Sequence, residues 1–266
     1  MIDDDILLKH DGRVPRYTSY PTAPPFNTTV DGGTYAGWLR EIPSAQPLSL
    51  YFHVPFCDTM CWFCGCQTTV VNRYQPVASY LELLATEIDL IGGHLGEGRP
   101  VAHVHWGGGS PTIVASDDFR NVMAGIAERF SLRSDAEIAV EIDPRGFDAD
   151  HIAALGEAGV NRASIGIQDF QPEVQKAVNR VQPFEETKEV VEGLRQAGIG
   201  GVSFDLLYGL PHQTVESVLS TVDLAMELAP DRISLFGYAH VPWMKAHQQM
   251  IDEDLLPDGR ARLALY

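Results

Sequence analysis

The sequence predicts an α/β fold of the incomplete TIM-like kind, an open (β/α)6 barrel, and two observations predict it. Six short apolar runs recur along the chain, at residues 48–54, 101–106, 138–142, 163–167, 202–207 and 233–236. Between them lie stretches with apolar residues at three- and four-residue steps, such as Tyr80, Leu81, Leu83, Leu84, Ile88 and Ile91, the period of a helix with one buried face. Near-continuous apolar strands alternating with amphipathic helices make a parallel sheet covered by helices. Six units fall short of the eight that close a full barrel.

Taken in order, residues 1–46 read as an arm laid over the domain. Pro15, Pro21, Pro24 and Pro25 preclude a long helix there, leaving one helical stretch near 35–42. Residues 47–242 carry the six units. Within them Asp148 or Asp150 can cap a helix that stops at Gly159, and Glu185 opens one that stops at Gly198. Thr214 can cap a third running towards Leu228. The strings Leu155-Gly156-Glu157-Ala158-Gly159-Val160 and Leu194-Arg195-Gln196-Ala197-Gly198-Ile199 are alike and 39 residues apart. That is the period of one βα unit; it is not sustained as a solenoid would require. Residues 243–266 read as the start of a C-terminal helical domain, with the chain stopping inside a helix, so a truncated domain is expected.

Composition sets the outer limits. The 266 residues carry 19 Lys+Arg against 36 Asp+Glu, a net charge of −17, with 45% hydrophobic residues. Such a field repels a phosphate backbone, which excludes a general nucleic-acid binder. No apolar run approaches the ~20 residues that span a bilayer, and Met1-Ile2-Asp3-Asp4-Asp5 lacks the basic start of a signal peptide. The expectation is a cytoplasmic monomer, off the membrane and without structural disulfides.

The four cysteines, Cys57, Cys61, Cys64 and Cys66, all fall within ten residues. A disulfide framework would spread them out. The C-x3-C-x2-C spacing lets one loop present three thiolates to a soft metal centre. A cubane iron–sulfur cluster takes one thiolate per iron, so three ligands leave one iron open, whereas Cys66 as a fourth would close the cluster into an electron carrier. Zinc structural sites draw on two separated knuckles, and the second is missing. A redox thiol loop is the remaining reading.

Polar clusters follow the apolar runs. They are His53 with the cysteine loop, Gly107-Gly108-Gly109-Ser110, Glu141 with Asp143, Gln168, Asp205, and Tyr238-Ala239-His240. In parallel α/β folds ligands bind at the carboxyl ends of the strands, so these clusters share one rim. That convergence predicts an enzyme. The glycine run reads either as a plain βα turn or as a place where a ligand approaches bare backbone. Glu141 and Asp143 alternate onto one face of an extended strand; they read as a salt-bridged pair with Arg145, or as acceptors for an amine or a ribose. Asp205, between Phe204 and Leu206, needs a polar ligand or an arginine. His103 and His105 have no third ligand of matching spacing and read as structural.

These residues carry a family resemblance. Cys57-x3-Cys61-x2-Cys64, with Phe63 inside it, resembles the cluster loop of radical S-adenosylmethionine (SAM) enzymes. The strings Arg16-Tyr17-Thr18-Ser19-Tyr20-Pro21-Thr22, Tyr51-Phe52-His53-Val54-Pro55-Phe56-Cys57, Cys64-Gly65-Cys66, and His105-Trp106-Gly107-Gly108-Gly109-Ser110-Pro111-Thr112 narrow it, as do Glu141-Ile142-Asp143-Pro144-Arg145 and Asp205-Leu206-Leu207-Tyr208-Gly209-Leu210-Pro211. Together they resemble the oxygen-independent coproporphyrinogen III oxidases (dehydrogenases) of that superfamily, from about Arg16 onward.

The resemblance implies a barrel of the radical SAM type. It implies a [4Fe-4S] cluster held by Cys57, Cys61 and Cys64, with Cys66 not a ligand, and two SAM molecules. Tyr51, Phe63, Gly108 and Glu141 match contacts to the first SAM, bound to the open iron. Gly109, Ser110, Gln168, Arg180, Asp205 and Ala239 match contacts to the second, Ser110 standing where threonine is frequent. No catalytic residue is implied beyond these ligands. The implied reaction, in haem biosynthesis, is oxidative decarboxylation of two propionates of coproporphyrinogen III to vinyls, giving protoporphyrinogen IX, by a 5′-deoxyadenosyl radical. A reductant such as a flavodoxin or ferredoxin is implied too. A related haem-binding and haem-delivery branch shares the three-cysteine loop without the decarboxylase activity; it generally lacks the Arg-Tyr-Thr-Ser-Tyr-Pro-Thr arm and the Cys-Gly-Cys ending, both present here. An inactive fragment is the other alternative, since the family's covering helical domain is expected to be cut short. The substrate's four carboxylates sit awkwardly with the acidic balance; Lys9, Arg13 and Arg16 are candidate offsetting cations.

Overall fold

A computed structural model describes residues 25–266 and, before them, Ile6, Lys9, Gly12, Tyr20 and Thr22. Arg13, Arg16 and the rest of the 16–22 string, Tyr20 and Thr22 apart, lie outside the described residues, as do Pro15 and Pro24.

The strands are β1 (Leu48–Val54), β2 (Phe56–Cys57), β3 (Thr69–Val70), β4 (Pro100–Gly108), β5 (Ser131–Ile142), β6 (Arg162–Gln168), β7 (Gly201–Tyr208) and β8 (Arg232–Gly237). Six of them form one parallel sheet in the order β1-β4-β5-β6-β7-β8. Chain order and spatial order coincide, so every crossover advances by one strand and β1 and β8 remain as the two edges of an incomplete barrel. The helices are α1 (Gly32–Glu41), α2 (Gln75–Leu95), α3 (Ser116–Arg129), α4 (Ala149–Glu157), α5 (Pro172–Ala177), α6 (Phe184–Gln196), α7 (Val215–Glu227) and α8 (Gly259–Leu265). Neighbours pack side by side, α1 on α2, α2 on α3, α3 on α4 and α4 on α6, the consequence of crossovers of one hand.

All six expected strands are present, several longer than their apolar runs. β4 takes in Gly107 and Gly108, which pair with His53 and Val54 of β1. β5 starts at Ser131, where Pro100 and Val101 pair with Ser131 and Leu132; the charges on Arg133 and Asp135 hide that half of the strand from an apolar pattern.

The helix ends follow their local chemistry. Asp148, not Asp150, caps α4, accepting from the amides of Asp150 and His151. Pro183 precedes α6, with Glu185 and Glu186 in its first turn, where the helix dipole favours a carboxylate. Thr214 and Ser217 form a reciprocal capping box on α7. The two look-alike strings are the same C-terminal device used twice. Gly159 (φ 78°) and Gly198 (φ 87°) are left-handed, and Val160 N donates to Leu155 O at 3.0 Å as Ile199 N does to Leu194 O at 2.9 Å. These are the six-to-one bonds of a Schellman end, followed directly by the next strand. After β8, residues 243–266 hold two 3-10 turns, at Ala246–Met250 and Glu253–Leu255, and then α8.

Side-chain alternation divides the sheet into a dry and a wet face. Val54, Val104, Trp106, Val140, Ala163, Ile165, Val202 and Phe204 are all at most 1% exposed and belong to one apolar cluster with the helices. Tyr51, His53, His105, Glu141, Ser164 and Asp205, at the intervening positions, are partly exposed on the concave face. Among the described residues no helix is long and apolar enough to cross a membrane.

Ile165, fully buried at the centre of β6, tests this division. Ile165→Ala is expected to cost about 3 kcal/mol, the transfer of the side chain plus the cavity left behind, read as a lower urea midpoint without a change of slope.

Candidate metal centre

β1 delivers the chain to Pro55, and the two-stranded β2–β3 pairing, Phe56 with Thr69 and Cys57 with Val70, closes a loop over 58–68. The loop is seated on the end of β4: Gly109 N donates to Val54 O and Ser110 N to Phe56 O, both at 2.8 Å. This contact explains the glycine run. A Cβ on Gly109 would stand 2.4 Å from Thr68 Oγ1 and 2.5 Å from Phe56 O, and one on Gly107 would stand 2.8 Å from Glu141 Oε1. Gly108 has φ 121° and no room beside Val54 O at 2.8 Å. The run is therefore neither a plain turn nor simply an opening to ligand; the protein's own loop and carboxylate occupy the space.

Cys57, Cys61, Cys64 and Cys66 are free thiols, and all four line one cavity of about 190 Å³. Among the described residues no three His, Cys, Asp or Glu gather as around a single ion; the soft donors line a space instead. Such a set, with Cys57, Cys61 and Cys64 presented by one loop, suits a polynuclear cluster with one thiolate per iron. Hydrogen bonds aim at three of these sulfurs, Cys66 N donating to Cys64 Sγ at 3.3 Å. Thr68 Oγ1 donates to Cys57 Sγ at 3.2 Å, and Arg145 and Arg180 donate to Cys61 Sγ at 3.4 and 3.5 Å. Burial pushes the Cys57 thiol up to about 11, against the pull of Thr68. The hydrogen bond from Cys66 holds Cys64 low, and the same bond together with burial pushes Cys66 up.

The two carboxylates of the third cluster part company. β5 ends at Ile142, so Asp143 turns off the strand face that Glu141 occupies. Asp143 lies between Arg145, at 2.6 Å, and Arg180, at 2.9 Å. Burial alone would raise its carboxyl; the Arg145 hydrogen bond and the charges of Arg180 and Arg145 outweigh that and hold it below the usual range. Glu141 accepts from His105 Nε2 at 3.2 Å and from Gly108 N at 3.3 Å and stays half-exposed at the cavity. Among the described residues the salt bridge with Arg145 thus belongs to Asp143 and not to Glu141. His105 is instead a partner of the Glu141 carboxylate.

The family model of the radical SAM superfamily matches residues 51–225, the stretch from β1 into α7. The chain belongs to the radical SAM superfamily. That family implies a [4Fe-4S] cluster and SAM. The oxygen-independent coproporphyrinogen III oxidase of Bradyrhizobium diazoefficiens is 55% identical over 250 residues, covering 94% of this chain and 56% of that protein. The same-named protein of Helicobacter pylori strain 26695 is 41% identical over 268 residues, covering 99% and 59%. The solved structure of coproporphyrinogen III oxidase from Escherichia coli, described as a radical SAM enzyme, superposes with a TM-score of 0.90 at 38% identity, over 98% of this chain and 58% of that one. The chain therefore spans somewhat over half the length of these relatives.

In this radical SAM core the 190 Å³ cavity brings Cys57, Cys61 and Cys64 together with Phe63, Gly108, Gly109, Glu141, Gln168, Arg180 and Asp205. Three residues singled out from the sequence stand outside it. Tyr51 is exposed, stacked on His105 at 5.7 Å and bonded to His53 Nδ1 at 3.0 Å. Ser110 is buried against Thr112 Oγ1 at 2.9 Å and lines a neighbouring cavity with Asp143 and Arg145. Ala239 lines a cavity of about 400 Å³ that shares Phe63, Cys64, Cys66, Gln168 and Asp205 with the first. Gln168 has φ 67°, a left-handed conformation costing on the order of 1 kcal/mol at a non-glycine residue, where the β6–β7 register breaks between Gly166 and Gln168. The pattern reading missed the segment after β8, whose Lys245, His247 and Gln248 reach the cysteine loop. It also missed Asn179 (φ 54°), which donates to Met60 O.

Asp205 meets hydroxyls in place of the arginine the sequence allowed: Ser164 Oγ donates to it at 3.1 Å, and Ser234 also bonds it. Burial, opposed by Ser164 and reinforced by the charge of Glu141, pushes its carboxyl up. A raised folded pKa means that the group's stabilising share is full below the ordinary aspartate value near 3.9 and is lost as pH rises through the folded one. Asp205→Asn is therefore expected to raise the urea midpoint of the cluster-free chain at pH 7, with the gain closing as pH falls towards 4.

Proposed function

We propose that this chain is the radical-generating core of an oxygen-independent coproporphyrinogen III oxidase, which converts two propionates of coproporphyrinogen III to vinyls on the way to haem. The observation that carries the reading is the single cavity where three loop thiols meet Glu141, Gln168 and Asp205, in a chain 55% identical to a protein of that name. Cys57, Cys61 and Cys64 hold the [4Fe-4S] cluster. Tyr51, Phe63, Gly108 and Glu141 surround one SAM; Gly109, Ser110, Gln168, Arg180, Asp205 and Ala239 surround a second. When bound and reduced, by a donor such as a flavodoxin or ferredoxin, the cluster and SAM supply a 5′-deoxyadenosyl radical that takes a hydrogen atom from a propionate side chain.

The chain's own groups orient that chemistry. Glu141, set by His105 and the Gly108 amide, offers carboxylate oxygens to a cationic amine. Asp205, with Ser164, presents an acceptor on the wall shared by both cavities. Asp143 pairs with both Arg145 and Arg180 and fixes their N–H groups towards Cys61 Sγ. The 400 Å³ cavity beyond Phe63 and Cys64 is of a size used for small-molecule binding. Among the described residues lining it, Lys245 is the one Lys or Arg, a local cation suited to a carboxylate-bearing substrate.

The test is anaerobic reconstitution with iron and sulfide, followed by reductant, SAM and coproporphyrinogen III. Deoxyadenosine and protoporphyrinogen IX are both expected, and Cys61→Ala should reduce both to background. Zinc without sulfide, or deoxyadenosine without any porphyrinogen product, would overturn the reading.

A further inference from the structure

The cysteine loop is tied down on two sides by distant parts of the chain. On one side, the turn after α5 holds it: Asn179 Nδ2 donates to Met60 O at 2.9 Å and Trp62 N donates to Val178 O at 3.0 Å. On the other, three side chains from the segment after β8 donate to its carbonyls. Gln248 Nε2 reaches Phe63 O at 3.1 Å, His247 Nε2 reaches Cys64 O at 2.7 Å, and Lys245 Nζ reaches Cys66 O at 3.0 Å. The segment lies beyond the residues that the family model matches.

Gln248 is the centre of this brace. It is 1% exposed, and a buried amide costs stability unless each of its polar atoms is partnered. Its Oε1 accepts from Val241 N at 2.6 Å, and its Nε2 also reaches Ala239 O at 3.3 Å. One side chain therefore joins the loop that carries Cys64 to the rim beyond β8 that carries Ala239. The segment cannot slide under it. Ile251 is buried in a small apolar cluster with Tyr238, Val174, Val178 and Leu210, packed against Trp62 and Phe63. His240 is fixed by the Tyr238 hydroxyl at 2.7 Å and Glu253 at 2.9 Å. A hydrocarbon at position 248 would fill the same space, but it would give no direction to the Phe63 and Ala239 carbonyls.

We propose that Gln248 is a positioning residue for the metal centre, holding, with His247, the Phe63–Cys64 backbone at a set distance from the Ala239 rim. The brace acts through Cys64 on how firmly the cluster is held, and through Phe63 on how the SAM beside the cluster sits against it. It rests on the cluster assignment above and is independent of the substrate.

The test uses the reconstituted chain without porphyrinogen. Two readouts are followed: the rate at which an iron chelator strips the cluster, and the change that added SAM makes in the EPR signal of the reduced cluster. Gln248→Met keeps the length but removes both donor hydrogens, and Gln248→Ala removes the side chain beyond Cβ. Each is expected to load iron and sulfide, lose the cluster roughly tenfold faster, as two lost hydrogen bonds imply, and need several-fold more SAM for the EPR change. His247→Ala should speed stripping about threefold, and His247→Gln, which keeps a donor for Cys64 O, should restore the parent rate. A Gln248→Met chain with parental stripping and SAM response would overturn the proposal. If the Gln248 variants do not fold, the His247 pair decides it: equal rates for Ala and Gln at 247 would overturn it. A parent chain that takes up no iron and sulfide would instead overturn the cluster reading itself.

Discussion

Successive residues of a strand point to opposite faces, and six strands wound in one direction turn that local rule into a site. The face against the helices must be dry, so Val104, Trp106, Val140, Ile165 and Phe204 are apolar and buried. The other face is then the only place on these strands for Tyr51, His105, Glu141, Ser164 and Asp205. Register carries the rule across the sheet: Tyr51 pairs with His105, Glu141 with Ser164, and Asp205 lies between Gly166 and Ser234. A one-residue slip in any strand would exchange a core residue for a site residue, so packing and chemistry are specified together. Asp205 shows how much rides on this. Its neighbours Phe204 and Leu206 are 0% and 2% exposed, and only the alternation lets a carboxylate stand between them.

The cysteine loop is not a strand and obeys a different constraint. It must stay open towards the cavity while its own backbone groups find partners. The solution is to borrow them from elsewhere: the glycine run of β4 beneath it, Asn179 and Val178 on one flank, and Lys245, His247 and Gln248 on the other. The glycines serve this seating before they serve any ligand, because a side chain at 109 would collide with the Phe56 carbonyl and the Thr68 hydroxyl. Arg145 and Arg180, clamped by Asp143, complete the floor beneath Cys61. Charged groups so close to a thiol stay fixed in direction only because the buried guanidinium of Arg180 also spends its other donors on Gly166 O and Gln182 Oε1.

Periodicity made the six units, their order and most helix ends legible in the sequence, because each depends on residues close together along the chain. Gly159 and Gly198 announce two identical helix ends, and Thr214 announces a cap. The gathering of the cysteines with Glu141, Gln168 and Asp205 was legible too, since ligand groups at strand ends share a rim. What stayed hidden depends on distance or on a bond only the fold creates. Nothing in the string distinguishes Asp143, which leaves the strand, from Glu141, which remains on it. Polar residues in the first half of β5 conceal a paired strand. Gln248 carries no local mark at all, since its partner Phe63 is 185 residues away. The 16–22 string, which weighed in the family resemblance, falls largely outside the described residues.

The net charge of −17 looks hostile to the polycarboxylate proposed as substrate until its position is considered. Glu82, Asp89, Asp118 and Glu128 line a groove between α2 and α3, and Asp117, Asp150 and Glu157 surround Arg120 on the outer helical layer. At physiological salt, exposed charges are largely screened beyond about 8 Å, so that layer contributes little to the potential on the concave side. There the balance is local. Asp143 is offset by both Arg145 and Arg180, and burial favours the neutral form of Asp205. Lys245 then faces the larger of the two site cavities with no carboxylate but Asp205 among the described residues lining it. An acidic protein can thus keep a mouth that does not repel anions, because the sheet separates the charged exterior from the site that the charge would otherwise oppose.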